Sequence, residues 1–293
     1  MKILITGSSG LLGSYLFEFL KMNGESVKRF NRDKLSYRNN QTNIDQLIGF
    51  DCIIHAAANT NVEACEIDPI SCYKDNTLLT ERLAYAAGKA KCKFIYISST
   101  GIYGTGKKSE PFTEYDEVKP TTHHHKSKWL AEKAVLKYAN NCLILRAGWI
   151  FGGNYNNPKN FVARRIEEAL SSKDKKIKSN NQQIGAPTFV KDFVVKLYEL
   201  MKNNEYGTFN LVNQGYTSRY EYVKKIIEIA KIDVQVVPIK AGFFNRIARV
   251  SENESAIALK ISQLGYKLLP TWQESLEKYI YDDLSDWIYK IKN

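Results

Sequence analysis

No stretch of the chain approaches the roughly 18 consecutive apolar residues that a membrane helix requires, so no membrane partner is expected. The apolar start at residues 1–6 is cut by Gly7-Ser8-Ser9-Gly10 before it could form the core of a signal peptide. Proline and glycine are scarce, 7 and 17 of 293 residues, which excludes collagen-like and low-complexity chains. Cysteine is sparse too. Cys52, Cys65, Cys72, Cys92 and Cys142 are odd in number and show neither a CxxC pair nor a Cys/His zinc spacing. Reduced, packed thiols, no metal site and a cytoplasmic location are the expectation.

What the chain does carry is positive charge: 42 Lys+Arg against 31 Asp+Glu leave +11. The clusters Lys107-Lys108 and Lys173-Asp174-Lys175-Lys176 lack the interleaved aromatics of a nucleic-acid platform, so no nucleic-acid partner is expected. The surplus reads either as an ordinary solvated surface or as a field that draws in small anions such as nucleotides. Hydrophobic residues at 44% and aromatics at 12% suffice for a large core.

The first half alternates short apolar runs with helical patterns. Residues 2–6, 26–30, 52–57, 94–98 and 142–146 read as strands, and 11–22, 76–89 and 125–139 as helices. That alternation predicts an α/β fold, a doubly wound parallel sheet of Rossmann type with right-handed crossovers. Beyond residue 150 the pattern loosens into helices near 161–170, 191–201, 218–230 and 272–291, with strands near 208–212 and 234–238. We read 1–150 as a dinucleotide-binding domain, to which later segments return. Residues 151–293 read mainly as a smaller α+β substrate domain that supplies a lid.

Residues 6–13, TGSSGLLG, form a GxxGxxG run that follows a strand and opens a helix. Gly7 permits the tight turn, Gly10 the approach of a pyrophosphate, and Gly13 close packing of helix on strand. The phosphates would meet the free N–H groups of Ser9, Gly10, Leu11 and Leu12 at the helix start. The second strand ends without an acid that could accept a ribose hydroxyl. Asn31 and Arg32 stand there instead, and a guanidinium pairs with a 2′-phosphate, so NADP(H) is favoured over NAD(H), with Asp33 as the route to the latter.

Several further segments resemble the extended short-chain dehydrogenase/reductase superfamily, and within it the dTDP-4-dehydrorhamnose reductase family of sugar-nucleotide 4-keto reductases. They are His55-Ala56-Ala57-Ala58-Asn59-Thr60, Asn76, residues 98–104 (SSTGIYG), residues 146–152 (RAGWIFG) with Asn160-Phe161-Val162, residues 183–188 (QIGAPT) with Asp192, and Leu264-Gly265-Tyr266 followed by Pro270-Thr271-Trp272. The resemblance implies that Ala56, Ala57, Ala58 and Asn76 lie against the cofactor and that Ser99 or Thr100 orients a carbonyl. It implies NADPH-dependent reduction of a 4-keto sugar nucleotide for surface polysaccharide, a nucleotide sugar as small-molecule partner, and leaves a homodimer open. Tyr103, Trp149, Asn160 and Arg249 become the substrate-binding candidates, and Arg146 or the Arg164-Arg165 pair further contacts to a diphosphate.

The family's catalytic pair is a tyrosine followed four residues later by a lysine, a spacing that puts both on one helix face. Here Lys128 counts back to His124, within the run His123-His124-His125. Either His124 serves as the acid, or Tyr103, Tyr115, His123 or His125 replaces it, or the site is retuned. An imidazole has an ordinary pKa of about 6.5, and Lys128 one turn away would push it lower. Two other functions stay open: a non-catalytic NADP-binding regulator or scaffold of the same fold, and a sugar-nucleotide epimerase.

Overall fold

The computed structural model describes residues 1–30, 33, 35–105, 110–243 and 245–292. Asn31, Arg32, Lys107 and Lys108 lie outside the described residues. The N-terminal half runs β1 (Lys2–Thr6), α1 (Leu11–Met22), β2 (Ser26–Arg29), α2 (Asn40–Leu47), β3 (Cys52–His55), α3 (Val62–Ile67), α4 (Pro69–Tyr73), α5 (Leu79–Lys89), β4 (Lys93–Ser99), α6 (His123–Tyr138) and β5 (Cys142–Ala147). There follow β6 (Trp149–Phe151), α7 (Phe161–Ser171), β7 (Lys176–Asn180), β8 (Ile184–Gly185), β9 (Pro187–Phe189), α8 (Val190–Lys202) and β10 (Gly207–Leu211). The chain ends with β11 (Thr217–Ser218), α9 (Arg219–Ile229), β12 (Gln235–Ile239), β13 (Asn253–Glu254), α10 (Leu259–Gln263), α11 (Trp272–Tyr279) and α12 (Ser285–Lys292).

Six strands form one parallel sheet in the order β10-β5-β4-β3-β1-β2. Its Rossmann-like architecture follows from burial on both faces. Along β1, Ile3 and Ile5 join one core with Leu16 and Leu20 of α1, while Leu4 joins the opposite core with Leu79 and Leu83 of α5. Strands covered on both sides read as unbroken apolar runs, which is why they were legible in the sequence. The connections reverse direction between β1 and β3, and the carboxyl ends of those strands open a crevice there. No helix among the described residues is long and apolar enough to cross a membrane.

Four details depart from the sequence reading. The short polar helix α2 was not foreseen, because its mean hydropathy is that of a loop; Asn39 caps it by accepting from Gln41 and Thr42 N–H groups. The helix expected at 76–89 begins at Pro69, and a π turn at Lys74–Leu78 joins α4 to α5. Such turns are rare inside helices and frequent at functional sites, and Asn76 lies within this one, buried. Helix α6 begins at His123, capped by Thr122. The C-terminal helix expected at 272–291 is interrupted by a second π turn at Ile280–Leu284.

The sheet is tied to the elements around it by one buried ion pair. Arg146 of β5 donates from Nε (3.1 Å) and Nη2 (2.8 Å) to the carboxylate of Glu132 on α6. Its Nη1 donates to the Tyr103 hydroxyl at 2.9 Å, which donates in turn to Asn210 Oδ1 of β10 at 2.8 Å. Arg146, Glu132, Tyr103 and Asn210 are all buried. Breaking such a pair from one side strands a charge in an apolar interior. Arg146→Leu is therefore expected to cost about 3–5 kcal/mol by urea denaturation, and more than the double replacement Glu132→Leu/Arg146→Leu.

Candidate active site

At the crevice, backbone packs directly on backbone. Gly7 has φ +69°, and a Cβ there would lie 2.6 Å from Ala57 N; a Cβ on Gly13 would lie 2.1 Å from the Gly7 carbonyl oxygen. The Gly10 N–H donates to that same oxygen at 2.9 Å. Gly10 caps α1 without a side chain, so the first N–H groups of the helix stay open to an anion. A cavity of about 680 Å³ lies over this turn. Ser9, Gly10, Leu11, Leu12 and Gly13 line it on one side, Ala56 to Asn61 on another, and Ser98, Ser99, His124 and Lys128 close its far end. A glycine cradle of this shape fits a dinucleotide diphosphate.

A buried hydrogen-bond relay holds the cavity wall in place. The Thr80 hydroxyl donates to the Asn76 carbonyl (2.5 Å) and so accepts from His55 Nε2 (2.9 Å). His55 Nδ1 then accepts from the Thr6 hydroxyl (2.6 Å), which accepts from the Ala57 N–H (3.2 Å). Burial, with help from the Lys128 charge, lowers the His55 pKa to about 3. His55 is a packed neutral strut, with both ring nitrogens used. Asn76 is buried and does not line the cavity. Its Oδ1 accepts from the Asn59 N–H (2.7 Å) and its Nδ2 donates to the Asn59 carbonyl (3.1 Å) and to Ser127 Oγ (2.9 Å). It shapes the wall through Asn59 rather than by its own contact.

His124 meets that same Asn59. Its Nδ1 lies 3.0 Å from the Asn59 carbonyl oxygen, and a carbonyl only accepts, so Nδ1 carries the proton and Nε2 presents a lone pair. Burial first, then His125 and Lys128, depress the His124 pKa to about 3. Lys128, one turn on, donates to the Ile97 carbonyl at 2.5 Å and sits 4.3 Å from the centre of the Tyr96 ring. Burial lowers its pKa to about 7, against the pull of Glu132. Ser99 accepts from the Gly101 N–H at 3.1 Å, which fixes its hydroxyl at the cavity edge. Ser98, overlooked in the sequence, lines the cavity with a buried Oγ that has no partner.

The other candidates at this end are turned away. Thr100 is buried in the turn after β4 and does not line the cavity. Tyr103 is fully buried, stacked on Phe112 at 4.7 Å, with its hydroxyl held by Arg146 and Asn210; neither a proton-donor nor a substrate role suits it. His123 Nδ1 pairs with the Tyr73 hydroxyl at 3.1 Å, and Tyr115 is 69% exposed. His125 lies under Gly101, where a Cβ would come 2.2 Å from its Nε2. Of the acids considered, His124 alone lines the cavity.

A second cavity of about 480 Å³ adjoins α7 and α9 and is lined by Arg165, Lys178, Arg219, Arg246 and Arg249 around Phe161. The Arg219 guanidinium lies 3.4 Å from the centre of the Trp149 ring; burial lowers its pKa to about 10. Arg165 Nε is buried without a partner. These cations suit an anion, and the sequence singles out neither Arg219 nor Arg246, since a lone arginine at a helix start or in a loop carries no pattern. Trp149 is covered by Arg219 on its face and donates from Nε1 to Glu254 at 2.8 Å, so it supports the cavity instead of lining it. Asn160 is a correction: fully buried, it caps α7 at the Ala163 N–H (3.1 Å) and donates to the Tyr279 hydroxyl (2.6 Å). Arg146, engaged by Glu132, is likewise not available to a diphosphate.

Comparison with known proteins agrees with this geometry. The profile of the RmlD substrate binding domain family matches residues 1–285. The spore coat polysaccharide biosynthesis protein SpsK of Bacillus subtilis (strain 168) is 24% identical over 284 residues, 96% of this chain and 97% of its own length. A dTDP-4-dehydrorhamnose reductase of Clostridium acetobutylicum superposes with a TM-score of 0.89 at 29% identity, covering 96% of this chain and 99% of that one. The Bacillus anthracis dTDP-4-dehydrorhamnose reductase, solved with NADP, gives 0.88 at 28% identity over 96% and 100% of the two chains.

The buried histidines set the acid side of the stability curve. His55, His124 and His125, with pKa lowered to about 3, 3 and 4, stay neutral in the folded protein while the unfolded chain takes up protons below about 6.5. Stability therefore falls as pH drops below about 6.5, by about 1.4 kcal/mol per histidine per unit well below that value. In urea melts, His124→Gln is expected to lose about 1–2 kcal/mol less than the wild type between about pH 6.5 and about pH 5.

Proposed function

The chain belongs to the RmlD substrate binding domain family, and from that premise we propose that it is an NADPH-dependent reductase of a 4-keto sugar nucleotide, like the dTDP-4-dehydrorhamnose reductases it resembles. The observation that carries this reading is the meeting of Ser99, His124 and Lys128 at the end of a glycine-cradled cavity. An arginine-lined cavity suited to a nucleoside diphosphate supports it. Residues 1–150 with β10 would hold the cofactor and most of the remainder the substrate. The preference for NADP over NAD rests on Arg32 and on a second strand that ends without an acid, with Asp33 one residue further on. The likeness to SpsK, a spore coat polysaccharide biosynthesis protein, supports a place in polysaccharide biosynthesis.

When bound, the nicotinamide cofactor supplies a hydride to the carbonyl carbon. The glycine turn and the first N–H groups of α1 hold its diphosphate. Lys128, braced by the Ile97 carbonyl, holds the nicotinamide ribose, and the Ser99 hydroxyl aligns the ketone. His124 Nε2 delivers the proton to the ketone oxygen, but only after Nε2 has itself been protonated. A ring pKa of about 3 leaves roughly one molecule in 10⁴ in that form at pH 7. The substitution of histidine for tyrosine makes this a slow reductase at neutral pH and a faster one in acid.

A second reading draws on the same neutral imidazole: a non-catalytic NADP-binding protein of this fold. It expects tight NADPH binding, no turnover, and a Lys128→Ala variant impaired only in cofactor affinity. NADPH oxidation with dTDP-4-keto-6-deoxy sugars separates the two. Reduction is expected, with kcat falling about tenfold per unit between about pH 5.5 and about pH 8, and His124→Tyr is expected to flatten that slope. No turnover with dTDP- or GDP-4-keto sugars from about pH 5 to about pH 9 would sink the reductase.

A further inference from the structure

Between the two cavities runs one short stretch of chain. Asn59, Thr60 and Asn61 line the dinucleotide cavity, and Asn61 then caps α3 by accepting from the Ala64 N–H at 3.0 Å. Glu63, in the first turn of that helix, meets a largely exposed strap formed by residues 245–251. Its Oε1 accepts from Arg246 Nε at 2.7 Å, and its Oε2 from the backbone N–H groups of Ile247 (2.9 Å) and Ala248 (3.0 Å). The Ala248 N–H, then the Arg246 side chain, hold its carboxyl below the usual carboxylate range. The strap is fastened a second time where Ser251 Oγ donates to the Gly104 carbonyl at 2.6 Å.

The strap matters because of what it carries. Arg246, Ala248 and Arg249 form one wall of the arginine cavity, opposite Arg165, Lys178 and Arg219. Cations gathered round an empty cavity repel one another, and Arg246 and Arg165 both add to the depression of Arg219. Glu63 is the carboxylate that holds Arg246 in that company while fixing the strap's backbone. On the same stretch, Lys159 from beyond β6 donates to Thr60 Oγ1 at 2.8 Å, a second tie between the cofactor wall and the C-terminal half.

We propose that Glu63 is a positioning residue that couples the two cavities: cofactor seated against residues 56–61 steadies α3, and Glu63 thereby sets the strap arginines for a nucleoside diphosphate. This deepens the reductase reading and rests on it. The coupling predicts synergistic binding, with each ligand tightening the other by the same factor, because coupling is reciprocal.

Calorimetric titration of dTDP with and without NADPH tests the coupling. In the wild type, NADPH is expected to tighten dTDP about tenfold, within the usual range of such couplings. Glu63→Ala is expected to bind NADPH alone as the wild type does, yet to bind dTDP equally weakly with and without it. Glu63→Gln keeps acceptor oxygen for the strap N–H groups without the charge on Arg246, and is expected to retain part of the effect. Full coupling in either variant, or equal dTDP affinity with and without NADPH in the wild type, overturns the proposal while leaving the arginine cavity as the nucleotide site. No dTDP binding by the NADPH-loaded wild type removes that site from the reductase reading, and the coupling with it.

Discussion

Everything in this protein's chemistry starts from a place where main chain touches main chain. The Gly7 oxygen occupies space that any side chain on Gly13 would need, and Ala57 stands where a side chain on Gly7 would go. Because these contacts are made without side chains, α1 approaches the ends of β1 and β3 closely, and its free N–H groups face the crevice where the sheet reverses its winding. The relay through Thr6, His55, Thr80 and the Asn76 carbonyl then locks the neighbouring strand end at that spacing.

At the other end of the cavity, desolvation governs. His55, His124, His125 and Lys128 are buried within a few residues or contacts of one another, and each loses affinity for protons because its charged form is poorly solvated there. Lys128 keeps the Ile97 carbonyl and the Tyr96 ring as its compensations. In a site of this kind a phenol would remain protonated and able to donate, since burial pushes a phenol's pKa up. The same burial empties an imidazole of its second proton. At position 124 the imidazole therefore holds no second proton where a phenol would hold its one.

The tautomer follows from a contact that is not catalytic in itself. Asn76 grips the Asn59 peptide from both sides, and the Asn59 carbonyl claims His124 Nδ1. Asn76, carried on the π turn, therefore helps shape a chemical property of a residue on another helix. The same loop continues into α3 and Glu63. The cavity wall, the carbonyl that orients the His124 ring and the carboxylate that holds the strap are neighbours on residues 56–63, so this one loop touches both cavities.

How much of this could be read in the residues alone depends on whether a feature is local or assembled. The glycine run, the apolar strands and the His124/Lys128 spacing are each set by residues a few positions apart, and local backbone geometry translates such short spacings directly into turn, strand and helix face. The parallel sheet and the cradle were accordingly legible. Side-chain direction after β5 was not. Asn160 and Tyr103 were expected at the substrate and are instead spent on capping a helix and completing a buried ion-pair network, while Arg219 and Arg246 converge from segments with no shared pattern. Ionisation state and cavity lining depend on how much water each group loses and on what stands opposite it. Those are set by residues tens to hundreds of positions away, so the sequence determined which groups could take part and packing alone decided which of them face a ligand and in what protonation state.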